Sequence, residues 1–370
     1  MNRDDGRSTD EEAADAAGVT TYEEAADAAG VTTYEGTILV GRDFEAVEGR
    51  LVVEDGTIAA IEEASVASDD IVCPAFVNAH THIGDSVAKE AGRGLDLDEL
   101  VAPPDGLKHR ILRDTPAEEK VAAMRRSLRY MHATGTTAHV EFREGGVAGV
   151  EAIEAAVDGL PVESVVLGRE TVDAMEHPFA AGFGASGARD ADFDAERNAT
   201  RRAGKLFGIH AGERDSLDVG AAMDLDPDHI VHMVHPDETH LDRLADAQWP
   251  VVVCPRSNLV TGVGVPPVRE LLDRTTVALG TDNVMLNSPS MFREMEFAAK
   301  LTDASAVEVL RMATANAAEV AGLDCGVLAE GRPASLVVLD GDSDNLAGVR
   351  DPVRAVVNRA GEGDVKAVVP

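Results

Sequence analysis

The 370-residue chain carries 67 acidic against 33 basic residues, a formal net charge of −34. That balance repels nucleic acid and anionic membrane and excludes both as expected partners. No uncharged apolar run is long enough to span a bilayer and the first residues are acidic where a signal peptide is basic, so a cytoplasmic protein is expected.

Acidic residues are dispersed along the chain and Arg outnumbers Lys, the pattern expected of a halophilic protein whose self-repulsion is screened by concentrated salt. Cys73, Cys254 and Cys325 form no CxxC, which argues against a disulfide framework and a cysteine zinc site.

Residues 11–22 (EEAADAAGVTTY) recur unchanged as residues 23–34. Two units cannot enclose a core, so residues 1–35 are expected to be a disordered acidic tail without a catalytic role. From Thr37 the pattern becomes strand-like, TILVG and then GRLVVEDGTIAAIEE with a tight Asp55-Gly56 turn. The other end, RPASLVVLD, DPVRAVVNRA and DVKAVV, also reads as strands, so residues 36–71 and 328–370 are expected to form a composite β-sandwich.

Between them, residues 72–327 alternate β-type runs with helical patterns. The runs are IVCPAFVNA, TTAHVEF, VESVVLG, FAAGFGA, LFGIHA, HIVHMV, VVVCP and TVALGTD; FAAGFGA, with its glycines, could equally be loop. AEEKVAAMRRSLRYMHATG reads as a helix opened by Thr115-Pro116 and closed by Gly135, and VEVLRMATANAAEVA as helix before Gly322. Eight strands alternating with helices predict the α/β class, a (β/α)8 TIM-like barrel carrying the small sandwich formed by both chain ends. The rival, an open doubly wound sheet, lacks a GxGxxG turn after its first strand.

Residues able to bind metal or move protons cluster at strand ends, where barrel sites form. FVNAHTH places His80 and His82 on one face of a strand, with Thr81 turned back. GIHAGE supplies His210 and then Glu213, a carboxylic acid near a metal but not on it. Alone, His210 reads as a core histidine and Glu213 as a residue near a helix N-terminus. HIVHMVHP offers His229, His232 and His235, with His232 on the face opposite the other two, so only one set can face the site. VALGTDN ends in Asp282, an axial metal ligand and base or else a helix cap. VVVCPRSN brings Arg256, Ser257 and Asn258 to a strand end, suited to hydrogen-bonding a polar ligand. The segment GDSVAKEAGRGLDLDELVAPPDGLKHRIL is expected to close over the site. Its Lys108 and Asp85 join Arg256 and Asn258 as substrate-binding candidates, although solvated or salt-bridged cations fit that loop as well.

In order, PAFVNAHTHIGD, HAGE, VHMVHP, CPRSN and LGTDN make the chain from about residue 36 resemble the amidohydrolase superfamily, within it the cytosine, adenosine and S-adenosylhomocysteine deaminase and chlorohydrolase branch. The resemblance implies that His80, His82, His210 and Asp282 bind one divalent metal, Zn2+ ahead of Fe2+. Glu213 would pass protons to a ring nitrogen and His232 would orient the attacking water. Binuclear members carry a bridging lysine at the end of the fourth strand, whereas FAAGFGASGAR has none and Lys205 begins the fifth. The implied activity is therefore mononuclear hydrolytic deamination of a small aminated heterocycle such as a purine, pyrimidine or pterin. A ring-opening cyclic amidohydrolase of the imidazolone type, a chlorohydrolase-like enzyme and a metal-free scaffold are the alternatives. The stretch between the third and fifth strands is shorter than in larger deaminases of the branch. Homo-oligomerisation is left open.

Overall fold

The computed structural model describes residues 30–370. Two sheets organise it. Nine parallel strands run in the order Val277–Leu279, Val251–Val253, His229–His232, Leu206–Ala211, Ala180–Ala185, Glu163–Gly168, Thr136–Arg143, Phe76–His82 and Asp282–Asn283. The first and last of these belong to one stretch of chain, so the sheet curls until its edges meet there. Asp282 pairs with Thr81 and Asn283 with His82, and the result is a TIM-like barrel whose eighth stave is broken at Gly280-Thr281.

The outward faces pack on the helices through Ile209, Ile230, Val251, Val277 and Leu279. Inside, Phe142 fills the space beneath the strand ends. A Cβ at Gly184 would stand 2.5 Å from its ring, and one at Gly208 would stand 2.6 Å from it and 2.4 Å from His229. Gly182 and Gly184 make FAAGFGA weak as a strand pattern, yet Ala180–Ala185 is the fourth barrel strand: a Cβ at Gly184 would strike the Phe142 ring, and one at Gly182 would stand 2.2 Å from the Leu206 carbonyl oxygen.

The expected helix spans Ala117–Ala133, and Gly135 follows it at φ +83°. The second helical run is two helices, Ala306–Met312 and Ala315–Ala321.

Strands from both chain ends share one six-stranded sheet, in the order Val365–Val369, Leu336–Leu339, Ile71–Pro74, Val31–Val40, Glu45–Glu54 and Thr57–Glu63. Among the described residues this is a single sheet, with Ile38, Leu51, Ile58, Val72 and Leu336 in its core. The Asp55-Gly56 turn has both φ angles positive, as a tight hairpin turn requires. The first strand begins at Val31, so the end of the second repeat copy is strand and not tail. The acidic tail itself, through residue 29, lies outside the described residues.

One terminal segment differs from its expected state. DPVRAVVNRA is a helix over Pro352–Asn358. Asp351 accepts the Arg354 backbone N–H and Pro352 fills the first turn, an N-terminal signal that outweighs the β-branched run. Val353, Val356 and Val357 are then buried against the helices Met291–Leu301 and Ala306–Met312. No described helix is long and apolar enough to cross a membrane.

Candidate active site

His80, His82, His210 and Asp282 converge at the C-terminal ends of the first, fifth and eighth barrel strands. His210 Nε2 lies 3.3 Å from His80 Nε2 and 3.4 Å from His82 Nε2. Asp282 Oδ1 lies 3.4 Å from His80 Nε2 and 3.6 Å from His82 Nε2. Bonds of about 2.0–2.2 Å to a tetrahedral ion separate ligand atoms by about 3.3–3.6 Å, so these contacts have the spacing of a coordination shell.

The opposite ring nitrogens support the same fit. His82 Nδ1 donates to Phe142 O at 3.1 Å and His210 Nδ1 to Ala185 O at 2.8 Å. A carbonyl can only accept, so both Nδ1 atoms carry the proton and both Nε2 lone pairs face the common point. Burial lowers the pKa of all three imidazoles, that of His82 to about 3, keeping them in the neutral form that ligates. Burial alone would raise the Asp282 pKa, but the adjoining histidines, His80 foremost, hold it well below the ordinary carboxylate value. Ser257 Oγ and Asn283 Nδ2 donate to its two oxygens at 2.5 and 2.8 Å. Among the described residues two groups that share His80 have metal-ligand spacing, His80 with His82 and Asp282, and His80 with His210 and His232, so this histidine-rich site fits a divalent metal.

His232 also reaches this group, by a route that alternation does not anticipate. With φ +79° at His232 and +48° at Met233 the strand end twists, and the ring turns inward to stand 5.4 Å from that of His210. His229 is inside the barrel as well, fully buried against Phe142, so the two histidines do not take opposite faces. His232 groups at metal-ligand spacing with His80 and His210, whereas His235 belongs to no such group among the described residues. Asn258 Nδ2 donates to His232 Nδ1 at 3.1 Å, which puts the His232 proton on Nε2. His232 thus presents an N–H where His82 and His210 present lone pairs.

Glu213 Oε2 is 3.6 Å from His232 Nε2, and its side chain is 19 % exposed. Burial raises its pKa, with partial opposition from His232. A carboxyl so placed keeps its proton to higher pH than an ordinary glutamate, as a proton donor must.

The substrate-binding candidates fare unequally. Lys108, Glu213, His232 and Asp282 line a cavity of about 100 Å3 over the ligands, beneath Leu97, Val101 and Pro103. Arg256 does not reach it: its Nε donates to buried Glu294 at 2.6 Å and its NH2 to Ser288 O at 2.8 Å. Asn258 turns to His232, and Asp85 is buried and accepts the Met285 N–H, so neither lines the cavity. Lys108 lines it but is 2 % exposed and pairs with Glu144 at 2.7 Å. Through Pro103, Arg169, Ser186 and Asp190 the cavity adjoins a second of about 660 Å3 over the second to fourth strands.

The reading from sequence missed Glu144, which immediately follows the second barrel strand. Its buried Oε1 accepts from His82 Nδ1 at 2.8 Å, Lys108 at 2.7 Å and Arg169 at 3.0 Å. Burial works against its ionisation, yet Lys108 and His82 hold its pKa well below the ordinary value. The signal was a charged pair, Arg143-Glu144, ending an apolar run at the catalytic face of a barrel.

The Amidohydrolase family profile matches residues 71–214 and 191–369. A Methanothermobacter thermautotrophicus protein provisionally named an aminohydrolase is 37% identical over 366 residues, covering 88% of this chain and 93% of that one. The 5-methylthioadenosine/S-adenosylhomocysteine deaminase of Haloarcula marismortui is 38% identical over 151 residues, 38% of this chain and 35% of that one. Among solved structures, a zinc-bound adenosine deaminase from Xanthomonas campestris superposes with TM-score 0.77 at 20% identity, covering 90% of each chain. On these matches the chain belongs to the amidohydrolase family and is a hydrolase acting on carbon–nitrogen bonds.

Proposed function

We propose that this protein is a mononuclear, zinc-dependent aminohydrolase that removes the amino group of a nitrogen heterocycle such as a purine, pyrimidine or pterin. One observation carries the reading: Glu213, a half-buried carboxyl 3.6 Å from His232 whose pKa is raised by desolvation, stands beside the ligand set without belonging to it. Deamination needs such a group, because the ring nitrogen next to the amine-bearing carbon must gain a proton as water adds. The fourth strand, Ala180–Ala185, supplies no lysine to hold a second ion, which favours a mononuclear centre.

A bound divalent cation supplies Lewis acidity, drawing the pKa of a water towards neutrality. Each side chain then has one task. Asp282 takes the proton released as water adds to the ring carbon, and Ser257 keeps the carboxylate aimed by holding Oδ2. His232, its Nε2–H set by Asn258, orients the attacking oxygen. Glu213 donates to the ring nitrogen, and the proton held by Asp282 passes to the amino group. Ammonia leaves from the tetrahedral carbon as its hydroxyl returns a proton to Glu213 and becomes the product carbonyl. Leu97, Val101 and Pro103 over the cavity limit competing water.

Ammonia release by the zinc-reconstituted protein over a panel of aminated purines, pyrimidines and pterins tests the proposal. Hydrolysis of cyclic amides with no ammonia from any amine would overturn it in favour of ring opening.

A further inference from the structure

We propose that Lys108 is a positioning residue that couples closure of the segment above the cavity to the metal centre. The inference rests on the ligand set assigned above.

Lys108 belongs to the helix Leu107–Asp114, which follows the cavity-covering helix Leu97–Val101. Its ammonium donates to Glu144 Oε1 at 2.7 Å and to Asn283 Oδ1 at 2.8 Å. Both acceptors have a second engagement. Glu144 Oε1 accepts from His82 Nδ1 at 2.8 Å, and Asn283 Nδ2 donates to Asp282 Oδ1 at 2.8 Å. One cation thus stands behind two of the four ligands. It does so at the barrel seam, where Asn283 and His82 are register partners.

The chemistry of such contacts is directional. The acceptor on the far nitrogen of a ligating imidazole aims its lone pair, and losing an outer partner typically weakens metal binding about 10–100-fold. Arg169 also reaches Glu144 Oε1, at 3.0 Å, and Arg143 reaches its Oε2 at 3.8 Å, so that carboxylate keeps two cations if Lys108 leaves. What Lys108 alone provides is simultaneous fixation of the Glu144 carboxylate and the Asn283 amide. If the helix lifts, both tethers release together.

A second tie, the Arg214–Asp98 ion pair, joins the same covering segment to the residue after Glu213, but it is exposed and contributes little. Linkage makes the buried coupling reciprocal. If the closed segment tightens the metal, the metal stabilises the closed segment by the same factor.

The test is zinc affinity by chelator competition, with hydrogen exchange over residues 97–114 in the presence and absence of zinc, on the full chain and on Lys108→Met and Lys108→Arg. Lys108→Met is expected to bind zinc about 10–100-fold more weakly and to lose the zinc-dependent protection of 97–114 that the parent shows. Lys108→Arg is expected to restore part of both. Asn283→Ala leaves the Lys108–Glu144 pair intact and is expected to lower both readouts, which keeps the inference testable if Lys108→Met does not fold. Unchanged zinc affinity in folded Lys108→Met overturns the coupling, and a raised KM there would mark Lys108 as a substrate contact instead. A parent protein that takes up no zinc would overturn the ligand assignment itself, an outcome separate from either.

Discussion

Ser257 Oγ donates to Asp282 Oδ2 at 2.5 Å, leaving Oδ1 as the oxygen that faces His80 and His82. The serine lies in the first turn of the helix Pro255–Thr261, just past the seventh barrel strand, so a neighbouring stave aims the ligand of the eighth. Ser257→Ala is expected to weaken zinc binding about 10–100-fold. It should also cost about 1–3 kcal/mol of stability, because a buried hydrogen bond to a charged group is lost. Zinc titration with thermal melts checks both, and a variant that binds zinc like the parent would remove Ser257 from the site.

Glu213→Gln separates chemistry from metal binding. The amide occupies the same volume and cannot donate the acid proton, and Glu213 is absent from the metal-competent clusters. Zinc content is expected to stay at the parental level while kcat falls about 10²–10⁴-fold. Because burial raises the Glu213 pKa, activity should persist above the ordinary carboxylate range and decline as pH rises through the raised value. Metal analysis beside a pH–rate profile decides the matter, and parental turnover in the variant contradicts the role.

Much of this site was legible because each ligand sits in its own strand-end motif. His80 and His82 are spaced by the strand period, and His210 and Asp282 close apolar runs. What failed was direction. Alternation assigns His229 and His232 to opposite faces, but a left-handed backbone at His232 overrides the period. Arg256 and Asn258 lie at the correct strand end, yet their side chains turn to Glu294 and His232. The partnership of Glu144 with Lys108 joins residues far apart in the chain, and no local spacing encodes it. At Pro352–Asn358 the β-branched run reads as strand, whereas the Asp351-Pro352 cap sets a helix.

His139 predicts an acid-sensitive fold. It is fully buried between Thr81 Oγ1 at 2.9 Å and Ser164 Oγ at 2.6 Å, and burial lowers its pKa to about 3. The unfolded chain takes up a proton near pH 6.5 that the folded chain refuses. Stability from this group is therefore full above that pH and is lost as pH falls towards about 3. By pH 5 the loss is about 2 kcal/mol. Denaturant unfolding at pH 7 and pH 5 should show His139→Gln losing less stability than the parent between the two conditions, and equal losses would contradict the assignment.

Arg256 offers the sharpest contrast between a residue that binds substrate and one that holds the fold. Its guanidinium donates to Glu294 at 2.6 Å, the Arg256 backbone N–H donates to the other Glu294 oxygen at 3.0 Å, and the Glu294 side chain is fully buried. Removing the cation leaves a carboxylate in the interior with only backbone compensation, a change that typically costs about 3–5 kcal/mol. Arg256→Met is therefore expected to lower the melting temperature and leave KM near the parental value. Pairing it with Glu294→Gln should recover part of the loss, since the uncompensated charge is then gone. A folded Arg256→Met protein with parental stability and a raised KM would return Arg256 to the substrate pocket.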